Sequence, residues 1–128
     1  MKTDIRLIYI VDDEPLLTDM LCDYLSDLDD RLLIRPFATG EACLAAMNER
    51  PSLIILDYYL NSREKDAANG IDILRKIKDH NKTLPVVMLS SQKNYGTAAR
   101  TIQYGAVHYV IKGQDAFAEI YELIKANV

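Results

Sequence analysis

The stretch SLIILD, Ser52 to Asp57, decides the fold. Four large aliphatic residues follow one another with no polar alternation, which is the composition of a strand covered on both faces and not of a sheet with one wet side. The run ends abruptly in a carboxylate. The same form recurs along the chain: IRLIYIV (Ile5 to Val11) runs into Asp12-Asp13-Glu14, PVVML (Pro85 to Leu89) into Ser90-Ser91, and VHYVI (Val107 to Ile111) into Lys112. A further strand, Leu32 to Phe37, contains Pro36, which cannot donate to a ladder and therefore places this strand at a sheet edge.

Helical patterns fill the intervals. Pro15 suits a first helical position, and Leu16, Leu17, Met20, Leu21, Tyr24, Leu25 and Leu28 recur at steps of three and four. Thr39 can cap a helix from about Glu41 to Asn48, with Cys43, Leu44 and Met47 as its inner stripe and Pro51 closing the connection. A helix is expected from Gly70 to Asp79, another from Asn94 to Tyr104, and a closing one is marked by Phe117, Ile120, Tyr121 and Ile124. Five strands alternating with five helices predict an α/β fold, a doubly wound parallel five-stranded sheet. With Pro36 pushing the second strand outward, the order is 2-1-3-4-5, and a ligand site is expected beyond the carboxyl ends of strands 1 and 3.

The 128 residues, 49% of them hydrophobic, suffice for one domain with a real core, so residues 1–128 are read as a single unit. A formal charge of −4 offers no basic surface for nucleic acid or anionic lipid. Cys22 and Cys43 form no CxxC or Cys/His cluster and are read as free thiols in a reducing compartment. The N-terminal apolar stretch meets acids within a few residues, so neither a signal peptide nor a membrane span is read there, and a cytoplasmic location is expected.

The strand ends carry the chemistry. Asp12 and Asp13 after strand 1, Asp57 after strand 3, Ser90 after strand 4 and Lys112 after strand 5 fall at one edge of the predicted sheet. Three carboxylates in one cleft repel, so either a proton or a cation must be held there. Mg²⁺ answers this, since it takes one or two carboxylates and leaves positions for phosphate oxygens. Asp57 can then act as a covalent nucleophile toward a phosphoryl group, with Lys112 and the Ser90 hydroxyl neutralising charge and backbone N–H groups near Tyr58 and Ser91 as further donors.

This ordered set (an acidic pair, a lone Asp, a Ser and a Lys at successive strand ends) resembles the response-regulator receiver family of two-component systems, over essentially the whole chain. The resemblance implies a flavodoxin-like (βα)5 fold. It also implies phosphoryl transfer to Asp57 from a sensor histidine kinase or a histidine phosphotransfer protein. By the same likeness Asp13 would coordinate Mg²⁺ directly, Asp12 would act through a metal-bound water, and the backbone carbonyl of Tyr59 would complete the protein ligands. Ser90 and Tyr109 would form the switch that relays phosphorylation to the face of helix 4, strand 5 and helix 5. That face would meet a downstream protein, an effector domain outside this chain, or a second copy in a homodimer. The chain would be a regulator that assists its own phosphorylation and dephosphorylation, with no direct binding to nucleic acid or membrane.

Two departures from the family pattern stand out. Gly113 follows Lys112 where receivers usually have Pro, and a trans peptide is expected there because a non-proline cis bond costs on the order of 3 kcal/mol. Tyr58 to Asn69, before Gly70, is roughly five residues longer than usual, which reads as a surface insertion of small entropic cost. Its charges (Arg63, Glu64, Lys65, Asp66) could contact a partner or serve only solubility. Tyr59 is bulky where water would approach an acyl phosphate, so slow hydrolysis is expected.

Other classes fit less well. A haloacid-dehalogenase phosphatase needs a second acid where Tyr59 stands. A flavin mononucleotide carrier would have phosphate facing Asp12-Asp13-Glu14, which repel it. The alternative kept open is a receiver-like interaction module that binds a partner without being phosphorylated.

Overall fold

A computed structural model describes residues 5–60 and 69–128 of the chain. The strands are β1 (Arg6–Val11), β2 (Leu32–Phe37), β3 (Leu53–Asp57), β4 (Val86–Ser90) and β5 (His108–Ile111). The helices are α1 (Pro15–Leu28), α2 (Gly40–Ala45), α3 (Gly70–His80), α4 (Tyr95–Gln103) and α5 (Ala116–Asn127). All strand pairs are parallel and the order is β2-β1-β3-β4-β5, as the apolar runs and Pro36 predict.

Strand alternation divides the core in two. Tyr9, Val11, Ile54, Leu56, Val86 and Met88 face Cys43, Ile73, Leu74 and Ile77 of α2 and α3. Ile8, Ile10, Leu53, Ile55, Val87, Leu89 and Val110 face Leu21, Leu25, Ile120 and Ile124 of α1 and α5. Every residue of β3 and β4 is buried, which is why both strands read as unbroken apolar runs. Tyr9 is the polar exception inside β1. Its hydroxyl donates to the Ala46 carbonyl at 2.6 Å and to Glu49 at 2.8 Å, so its burial leaves no orphaned donor.

The helix starts follow their caps. Thr39, Asn69 and Asn94 accept hydrogen bonds from the backbone N–H groups of Ala42, Asp72 and Thr97. Two expectations need correction. The second helix does not run to Asn48: α-helix stops at Ala45, and Met47–Glu49 tightens into a 3-10 turn. Arg50 then takes a left-handed conformation (φ 60°) ahead of Pro51, whose ring disfavours a helical residue before it. In α1, Leu16 and Met20 are 74% and 51% exposed, so the buried stripe narrows to Thr18, Leu21 and Leu25. Cys22 and Cys43 are free. Among the described residues no peptide bond is cis, so Lys112–Gly113 is trans, and no helix is long and apolar enough to cross a membrane. The charged insertion, residues 61–68, lies outside the described residues.

Candidate functional site

Strand register makes the carboxyl ends flush. Val11 pairs with Leu56, Asp57 with Leu89, and Ser90 with Ile111. Asp12 and Asp13 therefore emerge beside Asp57, and Lys112, whose N–H bonds the Ser90 carbonyl at 2.7 Å, emerges beside both. Asp12, Asp13 and Asp57 are 4%, 7% and 2% exposed, and one oxygen of each lies within 4.8 Å of the other two.

Lys112 is the cation that faces this cluster. Its Nζ lies 3.4 Å from Asp57 Oδ1, 3.5 Å from Asp12 Oδ2 and 3.1 Å from Glu14 Oε1. Burial disfavours the ammonium, but Asp57, Asp12 and Glu14 outweigh that and push its pKa up. Its one positive charge is shared between two buried carboxylates, Asp12 and Asp57. Desolvation, with the neighbouring Asp12 charge, pushes Asp57 up to about 7, against the opposing pull of Lys112 and the Tyr59 N–H. Desolvation raises Asp12 as well. The site thus holds a proton near neutral pH unless a cation replaces it. Asp12 Oδ1 accepts the Glu14 N–H at 2.9 Å, while Asp12 Oδ2 is buried and takes no hydrogen bond. An all-oxygen set with one such oxygen fits a hard divalent ion, with Asp12, Asp13 and Asp57 as the residues able to hold it.

Ser90 is fully buried, and its Oγ accepts the Gln92 N–H at 3.1 Å. Tyr109 is half-buried, and its hydroxyl donates to the Gln92 carbonyl at 2.9 Å. The N–H and the carbonyl of Gln92, which belong to successive peptide groups, are therefore each held by one of the two residues singled out as a switch. One expected donor is already used: the Tyr58 N–H bonds the Leu89 carbonyl at 2.9 Å, extending the β3–β4 ladder, and the Tyr59 N–H approaches Asp57 instead, at 3.3 Å. Tyr59 also packs edge-on against Tyr58, with centroids 4.7 Å apart.

Gly70 braces the nucleophile's backbone. Its N–H bonds the Tyr58 carbonyl at 2.9 Å, and a Cβ there would sit 2.5 Å from the Asp57 carbonyl oxygen and 2.7 Å from Tyr58 Cα. The start of α3 can press against β3 only without a side chain. Gly113 differs, since a Cβ there would meet nothing within 4 Å. The sequence reading did not single out Glu14 as a site residue. Its only signal was a third acid in the run Asp12-Asp13-Glu14, whose partner lies 98 residues away.

The chain belongs to the response regulator receiver domain family, whose family model matches residues 8–125. It is 34% identical over 106 residues to the nitrogen assimilation regulatory protein NtrX of Azorhizobium caulinodans, covering 82% of this chain and 22% of that protein. To the transcriptional regulatory protein MalR of Bacillus subtilis it is 28% identical, covering 82% of this chain and 43% of MalR. It thus spans less than half the length of these relatives. The crystal structure of the NtrX receiver domain from Brucella abortus superposes with a TM-score of 0.80 at 33% identity, covering 93% of this chain and 96% of that one. A CheY-like receiver domain from Methanospirillum hungatei, 22% identical, shares the fold with a TM-score of 0.82 over 95% of this chain and 92% of that one. The chain is thus a receiver domain of two-component systems, regulatory in class.

Proposed function

We propose that Asp57 accepts a phosphoryl group from a phosphohistidine with Mg²⁺ bound at Asp12, Asp13 and the Tyr59 carbonyl, and that Ser90 and Tyr109 relay the event. The observation that carries this reading is the convergence of three buried carboxylates within 4.8 Å of one another, with the Lys112 ammonium reaching two of them. An Asp57 oxygen forms the bond to phosphorus as the P–N bond breaks. The electron pair returns to the imidazole, which leaves neutral because its other nitrogen carries a proton. Bound Mg²⁺ would supply neutralisation of the phosphoryl oxygens and of the crowded carboxylates. Lys112 orients and neutralises from the opposite side, and the Tyr59 N–H is the nearby backbone donor.

The relay has a concrete linkage. A phosphoryl group adds close to two negative charges and strong acceptors. When the Ser90 hydroxyl turns to donate to it, the Gln92 N–H loses that acceptor, and the segment stays held only at the neighbouring Gln92 carbonyl by Tyr109. Gln92 leads directly into α4, where Thr101 is the one residue buried. Tyr95, Ile102 and Tyr104 of this region and Val107 before β5 are exposed apolar groups, which suits a surface for a downstream protein, an effector domain or a second copy of the chain. A donor has its own landing place beside Lys112: a crevice of about 320 Å³ lined by Leu17, Met20, Leu89, Gly113, Ala116 and Phe117.

Incubation with Mg²⁺ and acetyl phosphate, followed by intact mass, tests the reading. One added phosphate, lost in Asp57→Asn, is expected. Gly113 in place of the usual proline favours one other reading, an interaction module that takes no phosphate, and absence of the adduct in both proteins would select it.

A further inference from the structure

We infer that Glu14 is a positioning residue that restrains Lys112 in the resting domain and is exchanged for the incoming phosphoryl group, so that its carboxylate slows phosphoryl acceptance. This rests on the reading of Asp57 as phosphoacceptor. Of the three carboxylates around Lys112 Nζ, Glu14 is the closest, at 3.1 Å against 3.4 Å for Asp57 and 3.5 Å for Asp12. It is also the accessible one, with a side chain 58% exposed where those of Asp12 and Asp57 are 2% exposed.

Local structure shows that this contact is not incidental to capping. Glu14 occupies the N-cap of α1, where a side-chain oxygen ordinarily turns back onto the helix N–H groups, yet it makes no side-chain cap hydrogen bond. Its main chain is fixed on both sides of the residue. The N–H donates to Asp12 Oδ1, and the carbonyl accepts from the Thr18 N–H and hydroxyl, each at 3.1 Å. The carboxylate is left to reach across to Lys112 from the solvent side, the side from which a phosphodonor must arrive.

Two consequences follow for the reaction. Lys112 must leave Glu14 to bind a phosphoryl oxygen, and the anionic donor must enter past a fixed negative charge. Both slow the forward step, and removing the charge relieves both. Because the pair is exposed, the effect is moderate, about two- to fivefold in rate, in line with the worth of accessible ion pairs. Glu14→Gln keeps the length and the backbone bonds of the residue and leaves no cap bond to lose.

The experiment compares wild type, Glu14→Gln and Asp23→Asn, the last removing one negative charge from an exposed position elsewhere on α1. Lys112 ¹⁵Nζ is followed by NMR without phosphodonor, and phosphorylation by acetyl phosphate with Mg²⁺ is followed by intact mass. The expected result is a displaced Lys112 ¹⁵Nζ signal and two- to fivefold faster acceptance in Glu14→Gln alone, with the rate difference reduced to the part due to charge repulsion when Lys112→Ala is added to both backgrounds. An unmoved Lys112 signal overturns the inference. So does an unchanged rate in a protein that takes phosphate, or an equal acceleration in Asp23→Asn. If wild type takes no phosphate, the phosphoacceptor reading fails and the inferred brake falls with it. A displaced signal would then show only that the resting ion pair exists.

Discussion

Asp57→Asn should make the metal-free domain more stable at pH 8, although it removes the proposed phosphoacceptor. In the folded chain, burial and the Asp12 charge move the Asp57 pKa from 3.8 to about 7. A raised carboxyl binds a proton more tightly folded than unfolded, so stability falls as pH rises from about 4 to about 7 and stays low above that. The full penalty at pH 8 is about 4 kcal/mol, taking 1.36 kcal/mol per pH unit. That figure already includes the favourable pull of Lys112, so asparagine, neutral like the protonated acid, escapes it whole. The net expectation is a gain of about 4 kcal/mol, or a urea midpoint higher by roughly 2 M for a domain of this size. The assay is urea unfolding of both proteins in chelator at pH 5 and pH 8. At pH 5 folded Asp57 keeps its proton while the unfolded chain has lost its own, so the gain should shrink to roughly a third of its value at pH 8. Millimolar Mg²⁺ should stabilise wild type at pH 8, much less at pH 5, and barely affect the variant, because the metal competes with the shared proton. If Asp57→Asn proves the less stable protein at pH 8 without metal, the crowding of three carboxylates does not govern this site.

Two further expectations concern the backbone around the nucleophile. Gly70→Ala should cost about 2 kcal/mol or more in urea unfolding, because its Cβ meets main-chain atoms of Asp57 and Tyr58 that cannot rotate away; Gly113→Ala, with open space around it, should be near neutral. Tyr59→Ala should shorten the lifetime of the phosphorylated form severalfold, measured as loss of the phosphate mass after the donor is removed, since it removes bulk two residues past Asp57 and opens room for water. An unchanged lifetime would refute that role.

The parts of this protein that are legible in its sequence are those governed by burial and periodicity. SLIILD and IRLIYIV announce strands covered on both faces, and their terminal acids announce where a site must lie, because parallel strands bring all carboxyl ends to one edge. Pro36 fixes the edge strand by its missing donor alone. What escaped depends on single backbone states or on partners far apart in the chain. Nothing in Met47-Asn48-Glu49 reports that Arg50 will turn left-handed and stop the helix early. The amphipathic period of α1 is real, but only packing against α5 and the sheet decides that Leu21 and Leu25 are covered while Leu16 and Met20 are not. Tyr9 reads as one more apolar strand residue until Ala46 and Glu49 are seen at its hydroxyl. Glu14 and Lys112 are coupled by topology, which residue types alone do not encode. Of the backbone N–H groups near Tyr58 expected as donors to phosphate, that of Tyr58 itself joins the ladder because β3 pairs one residue further than its apolar run suggests, which leaves that of Tyr59.

Pro36 has an effect beyond setting strand order. The Phe37 carbonyl accepts from Asp12 and the Arg31 carbonyl from Arg6, so alternate residues of β2 turn their amides inward and Pro36 presents its nitrogen to the open side. A foreign strand seeking to extend the sheet there would find a gap in the row of donors and a ring in its path. Self-association by sheet growth is thereby discouraged along that margin, and β5 is left as the edge where a strand could add.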